Sequence, residues 1–216
     1  MMFRRDLGNV TQPDLDAGHV DIVTDRLRLS PVGPQHSDAV VAGLGDEDVA
    51  RNLARVPYPY TVKDFDAYLA DLAEMNRNGE LCLAISDWKT ETFLGFIGLR
   101  GGIPHPEIGY WLVKDYWGKG VMKEAAAALL DHVFAISDET VIGSGHFVDN
   151  PRSGKVLDFL GFRETGISKV HSLARGEDVD HRDMELTREA YFGLGTEANG
   201  GRQRARTRGN SYAMDY

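Results

Sequence analysis

Residues 107–148 hold the feature that most restricts the fold. "EIGYWLV" (107–113) reads as a strand, "WGKG" (117–120) as a glycine turn, "VMKEAAAALLDHVFA" (121–135) as a helix and "TVIGSGHFV" (140–148) as a strand again. Val121, Ala125, Leu129 and Val133 line one face of the helix, and Met122, Ala126, Leu130 and Phe134 widen it. A stripe that wide must lie against a sheet, and its alanines allow close approach. A strand–helix–strand crossover pairs its two strands in parallel. Upstream, "ELCLAIS" (80–86) and "TFLGFIGLR" (92–100) are strand-like runs. The turn signals "DWKTE" and "GGIPHP" separate the three runs, which predicts an antiparallel meander.

The remaining elements are shorter. "DIVTDRLRLSPV" (21–32) reads as a first strand, and short helical patterns run from Ser37 to Asn52. Thr61 caps a helix in which Phe65, Leu69 and Leu72 recur at helical spacing, and Asn78-Gly79 ends it. "DNPRSGKVLDFLGF" (149–162) marks a short helix, with Asn150 as N-cap, Pro151 at the first helical position and Gly161 at the C-terminal cap. Two last strands, near 163–172 and 180–187, are joined by the polar "ARGEDVD" turn. Residues 1–20 read as a loose arm and 195–216 as a disordered tail without apolar periodicity. No repeat or linker divides 21–194, so one α+β domain is expected there.

Charge narrows the function. Lys and Arg total 24 against 33 Asp and Glu, a net charge of −9. A DNA-binding protein needs a basic face, so that class is excluded. The acidity suits a cationic partner, or serves solubility alone. Four arginines stand against Glu197 and Asp215 in the tail, so the folded part is more acidic than the whole. Those arginines fit a solvated extension or an RNA contact. Cys82 is the only cysteine and sits in the strand-like "LCLAI", where it reads as core packing. No apolar run approaches a membrane span or follows the N-terminal arginines as a signal peptide would. A cytoplasmic protein without a membrane partner is expected.

Glycines at a strand-to-helix junction let main-chain N–H groups converge on an anion, and a helix N-terminus adds unpaired donors. "WGKGVM" is thus a candidate phosphate cradle, with Lys119 and Lys123 beside it. The plain alternative is a tight turn with surface lysines. There is no G-x-x-x-x-G-K-[ST] pattern, and Lys123 stands where a dinucleotide fingerprint wants its third glycine.

"EIGYWLVKDYWGKGVMKEA", a strand, then "NPRSGKVLDFLGF" resembles the GNAT superfamily of acyl-CoA-dependent N-acetyltransferases. Within it the chain is similar to the RimJ/RimL-type subgroup, which acetylates ribosomal-protein N-termini and related amines. "TDRLRL" and "PYPYT" look like that subgroup too, so the resemblance covers about 23–194. It implies a splayed mixed, mostly antiparallel sheet flanked by helices, with acetyl-CoA as co-substrate and no metal. The pyrophosphate loop falls on Trp117, Gly118, Lys119, Gly120, Val121 and Met122, with Lys123 following. Trp117 replaces the usual Gln or Arg, and Met122 a small residue. Trp111, Leu112 and Val113 are expected to pair their backbone with the pantetheine arm. Asn150 and Ser153 match "N-x-x-S", near the pantetheine and the sulfur.

Amine acylation by a thioester needs a neutral amine, a stabilised oxyanion and a proton for the thiolate. At pH 7 an α-amine costs about 1.4 kcal/mol to deprotonate and a lysine about 4.6 kcal/mol. Glu107 opens the strand that flanks the cofactor and is the expected base, or else a solvated strand-end charge. His146 suits proton transfer, or is a satisfied core histidine. His105 is a weaker candidate. Leu157 occupies the position where many GNAT enzymes place an acidic tyrosine, so Ser153 or water must protonate the thiolate. The oxyanion is expected to use a backbone N–H near Trp111. Tyr58, Tyr60, Trp88 and Trp111 are candidate acceptor-site aromatics. The expected acceptor is a peptide or protein N-terminal α-amine. A small-molecule amine (aminoglycoside, polyamine or amino acid) and a non-catalytic acyl-CoA sensor are the alternatives. A homodimer is compatible with the sequence.

Overall fold

A computed structural model describes residues 20–101 and 106–197, with the side chains of 194–197 excepted. Among these residues eight strands form one sheet: β1 (Ile22–Val23), β2 (Leu27–Pro31), β3 (Leu81–Asp87), β4 (Phe93–Arg100), β5 (Glu107–Leu112), β6 (Val141–Phe147), β7 (Arg163–Ser172) and β8 (Glu177–Thr187). Their order is β1-β2-β3-β4-β5-β6-β8-β7. Every pair is antiparallel except β5–β6. Among the described residues six α-helices flank the sheet: α1 (Ser37–Leu44), α2 (Glu47–Ala50), α3 (Val62–Arg77), α4 (Val121–Ile136), α5 (Pro151–Leu160) and α6 (Arg188–Glu197).

The helix stripe read from the sequence is the centre of the core. Ala125, Ala126, Leu129 and Leu130 of α4 are fully buried with Leu83, Ile97 and Ile142 of the sheet. Against the other face, Val40, Leu44 and Phe65 of α1 and α3 pack with Ala84 and Phe96. Thr61 starts α3 through a capping box with Asp64, whose carboxylate accepts the Thr61 N–H at 2.8 Å.

Four boundaries differ from expectation. The first strand, expected over 21–32, is a hairpin of β1 and β2, because the Thr24 hydroxyl accepts the Leu27 N–H at 2.9 Å and closes a turn. Val20, assigned to the loose arm, is buried in the core. β8 begins at Glu177, since the pairs Lys169–Asp180 and His171–Asp178, both 2.8 Å, carry the polar hairpin onward. Residues 188–197 form α6, to which no element was assigned. Its Tyr191 hydroxyl donates to Ala127 O at 3.0 Å and Asp131 Oδ1 at 2.9 Å, docking it on α4. The first three residues of the expected tail close this helix. The rest of the tail (198–216), the arm (1–19) and His105 lie outside the described residues.

Among the described residues no helix is long and apolar enough to cross a membrane. Cys82 is partly covered in β3, and burial pushes its thiol up to about 11, with the Tyr68 hydrogen bond pulling the other way.

Candidate active site

β5 and β6 pair at a single register position, Glu107↔Gly143, and then part. A cleft of about 1130 Å³ opens at that fork. Backbone parity decides which groups of β5 face it. The Val113 N–H is donated to Leu94 O on β4 at 2.8 Å, and ladder alternation turns the peptide groups of Trp111 the same way. A Cβ on Gly95 of β4 would meet Trp111 O at 2.1 Å, which places that carbonyl against β4 independently. Ile108, Tyr110 and Leu112 turn the other way: Ile108 O accepts from Ser144 Oγ at 3.0 Å and Leu112 O from the Trp117 indole at 2.9 Å. The expected backbone donors Trp111 and Val113 are thus spent within the sheet. Tyr110 and Leu112 hold the open edge.

The glycine loop lies at the same end. Gly118 and Gly120 have φ of 73° and 77°, a region favouring glycine, and a Cβ on Gly118 would meet nothing within 4 Å. The Glu124 N–H is the first to return to the helix, donating to Gly120 O at 3.2 Å. The amides of Val121, Met122 and Lys123 are therefore the orphan donors of the α4 N-terminus. Val121 and Met122 bury their side chains in the core and offer only backbone here. This open concavity beside unpaired amides fits a pyrophosphate. Lys119 Nζ lies 5.2 Å from the Tyr116 ring centroid, Lys123 Nζ 4.4 Å from that of Phe159, and the Arg152 guanidinium 5.1 Å from that of Trp117.

A brace behind the loop was not anticipated. Glu124 of α4 accepts Arg26 Nε at 2.6 Å and the Thr24 hydroxyl at 2.5 Å, and Arg26 Nη1 reaches Lys119 O at 3.3 Å. The "TDRLRL" segment therefore supports the glycine loop from behind.

Across the fork, the Asn150 side chain accepts the Ser153 N–H at 3.4 Å and caps α5. Ser153 Oγ lies 3.0 Å from the Tyr110 hydroxyl. Tyr110 was missed by sequence reasoning, although it stands inside the "EIGYWL" segment. Burial raises its pKa, with the Ser153 hydrogen bond opposing, so the phenol is a neutral donor. Leu157 is fully buried and takes no part.

Glu107 lines the cleft, half-exposed, with Oε2 paired to Arg100 Nη2 at 2.6 Å. His146 is buried on the α5 side of β6, its Nδ1 2.8 Å from Phe147 O, and a Cβ on Gly154 would come within 2.8 Å of Nε2. His146 is also part of the cleft lining. Tyr60 and Trp111 line the cleft, whereas Tyr58 and Trp88 are exposed elsewhere. Burial pushes the Tyr60 hydroxyl up to about 12. Among the described residues no group of three or more His, Cys, Asp or Glu side chains is placed to hold a metal ion.

The family profile "Acetyltransferase (GNAT) domain" matches residues 26–163. The uncharacterized N-acetyltransferase p20 of Bacillus licheniformis is 24% identical over 179 residues, 80% of this chain and 98% of that protein. A [ribosomal protein uS5]-alanine N-acetyltransferase of Escherichia coli K12 is 32% identical over 89 residues, 41% of this chain and 46% of that protein. The solved structure of Mycobacterium smegmatis RimJ in complex with CoA-disulfide superposes with a TM-score of 0.71 at 20% identity, over 87% of this chain and 97% of that one. With the match spanning most of the sheet and the glycine loop at its fork, the chain belongs to the GNAT acetyltransferases and is an acetyl-CoA-dependent N-acetyltransferase.

Proposed function

We propose that the acceptor is the free N-terminal α-amine of a peptide or protein. The observation that carries this reading is the lining of the cleft, which includes Glu107, Asp183 and Glu185 as well as the aromatic rings of Tyr60 and Trp111. Carboxylates attract an ammonium, and aromatic walls suit the first side chains of a peptide. The partial likeness to a uS5-alanine N-acetyltransferase supports it. So does the deprotonation cost, which is about 3 kcal/mol smaller for an α-amine than for a lysine.

Acetyl-CoA supplies the activated acyl thioester. Trp117, Gly118, Lys119, Gly120 and the amides of Val121, Met122 and Lys123 hold its pyrophosphate. Tyr110, and Leu112 through its N–H, offer an open edge to the pantetheine arm, and Asn150 lines the same cleft. The Tyr110 N–H, on the open side, is positioned for the thioester carbonyl oxygen in place of the expected Trp111. Ser153, hydrogen-bonded to the Tyr110 hydroxyl, returns a proton to the departing sulfur. Glu107, held through Oε2 by Arg100, orients the incoming ammonium.

The test is a competition at pH 7 between equal amounts of an N-terminally free peptide and an N-terminally blocked, lysine-containing one, read as released free CoA. The free peptide is expected to react faster. Faster reaction of the blocked peptide, or turnover of polyamines or aminoglycosides only, rejects this acceptor.

A further inference from the structure

We infer that His181, positioned by Asp183, takes the proton from the acceptor amine; this rests on the acetyl-transfer reading above. Neither residue has a role legible in the sequence alone. The two stand at i and i+2 on β8, so their side chains share one face. His181 Nδ1 lies 2.8 Å from Asp183 Oδ1, and that oxygen also accepts Ser168 Oγ from β7 at 3.0 Å. The carboxylate thus fixes the ring and favours the proton on Nδ1, leaving Nε2 as the acceptor nitrogen. Among the described residues Nε2 has no protein hydrogen bond.

Where Nε2 lies is set by a glycine. Asp183 faces Gly145 of β6 in register, and a Cβ at Gly145 would come 2.2 Å from His181 Cε1 and 2.8 Å from Nε2. The imidazole therefore leans across β6 into the space of the missing side chain, toward the fork. Gly145 is two residues beyond Gly143, the last residue paired to β5, a rise of about 7 Å along a strand. This is the face of the sheet that carries Glu107; His146, which also lines the cleft, lies on the opposite face under α5. Phe147 backs the ring edge-on, with centroids 6.0 Å apart, and carries the Arg175 guanidinium 4.9 Å from its own centroid. The charged groups around the imidazole are Asp183 on its own strand, Arg175 behind Phe147, and Glu185 and Glu107 toward the fork.

His181 is better placed for this role than the two residues the sequence offered. Glu107 is tied to Arg100, and His146 is packed on α5. In the reaction an ammonium loses two protons. His181 Nε2 takes the first, directly or through one water, and releases it to solvent. The second leaves nitrogen by the same route as the C–N bond forms and the C–S bond breaks, and Ser153 returns one proton to the sulfur. One proton is released per turnover.

The experiment compares wild type with His181→Ala and Asp183→Asn, using acetyl-CoA and an N-terminally free peptide across pH 6–9. Wild-type turnover by itself decides the acetyl-transfer reading; the variants decide the role of His181. His181→Ala is expected to lower kcat by about 10²–10⁴ with the acetyl-CoA-induced melting shift retained, and added imidazole is expected to restore part of the turnover. Asp183→Asn is expected to lower kcat less and to displace the acid limb of the pH–rate profile. A His181→Ala variant that melts like wild type and keeps its kcat and pH profile overturns the proposal. So does a loss of turnover that imidazole does not restore, accompanied by loss of the acetyl-CoA shift.

Discussion

The hydroxyl of Tyr110 on β5 lies 3.0 Å from Oγ of Ser153 on α5, and 3.3 Å from its carbonyl oxygen. The pair ties the two banks of the fork together at the point where the strands have parted. Ser153→Ala is expected to lower kcat by about 10²–10⁴ if it carries the sulfur's proton. Tyr110→Phe keeps the ring, so it is expected to lower kcat less and to cost about 0.5–1.5 kcal/mol of stability. Steady-state kinetics and thermal melting check both. Full turnover in Ser153→Ala would transfer the proton donation to water.

Gly118 and Gly120 need left-handed backbone, and the cradle proposed above uses N–H groups. Valine at either position adds strain of about 1–2 kcal/mol and fills the anion's space. Acetyl-CoA at about 100 times its Kd is expected to stabilise the wild type by about 2.7 kcal/mol and neither variant. Melting with and without acetyl-CoA measures this. Equal shifts in all three proteins would remove the pyrophosphate from the loop.

Arg26 is more than half exposed, so its ion pair with Glu124 contributes little to global stability. Its contact with Lys119 O bears on the loop instead. Arg26→Ala is therefore expected to raise the KM for acetyl-CoA about threefold to tenfold, at most ~1.4 kcal/mol, while kcat holds. An unchanged KM would reduce the brace to a surface contact.

Arg175 clasps Asp149 with hydrogen bonds of 2.8 and 3.0 Å and donates Nε to Arg51 O at 2.7 Å, strapping the β7–β8 hairpin to the turn before α5 and the end of α2. The hydrogen bond from Arg175 holds the Asp149 carboxyl below its ordinary 3.8. A depressed carboxylate stabilises the fold above its unfolded pKa, and that contribution is lost as pH falls through the folded value. Asp149→Asn is expected to melt below wild type at pH 7, with the gap narrowing below about pH 4. A gap that stays constant into acid would show that the charge is not what the strap uses.

The Cys82 thiol, raised by burial from 9.0 to about 11, is expected to react with a thiol reagent at pH 8 about 100-fold more slowly than an unshifted one. Labelling rates in native and unfolded protein test this. Equal rates would place the thiol in solvent.

The sequence determined the local structure. The apolar stripe of α4, the caps Thr61, Asn150 and Gly161, and the glycines of the loop each act within a few residues, so short-range periodicity and capping chemistry are enough to read them. α6 escaped for the complementary reason, since partners distant in the chain decide it, Ala127 and Asp131 for Tyr191; the Thr24–Leu27 turn between β1 and β2 and the pairs that start β8 were local signals left unread. The candidate site divides in the same way. The glycine turn ahead of α4 was legible because its signal lies in consecutive residues. Which peptide groups of β5 stay free was not, because ladder parity is set by pairing with β4; of the expected Trp111, Leu112 and Val113 it leaves only Leu112 on the open edge and adds Tyr110. His181 and Asp183 carried only the weak signal of an H-x-D spacing. Their place at the fork depends on Gly145, on a strand some 35 residues earlier, leaving room for an imidazole from its neighbour. A strand's own residues fix which side chains share a face; only the assembled sheet fixes what that face meets.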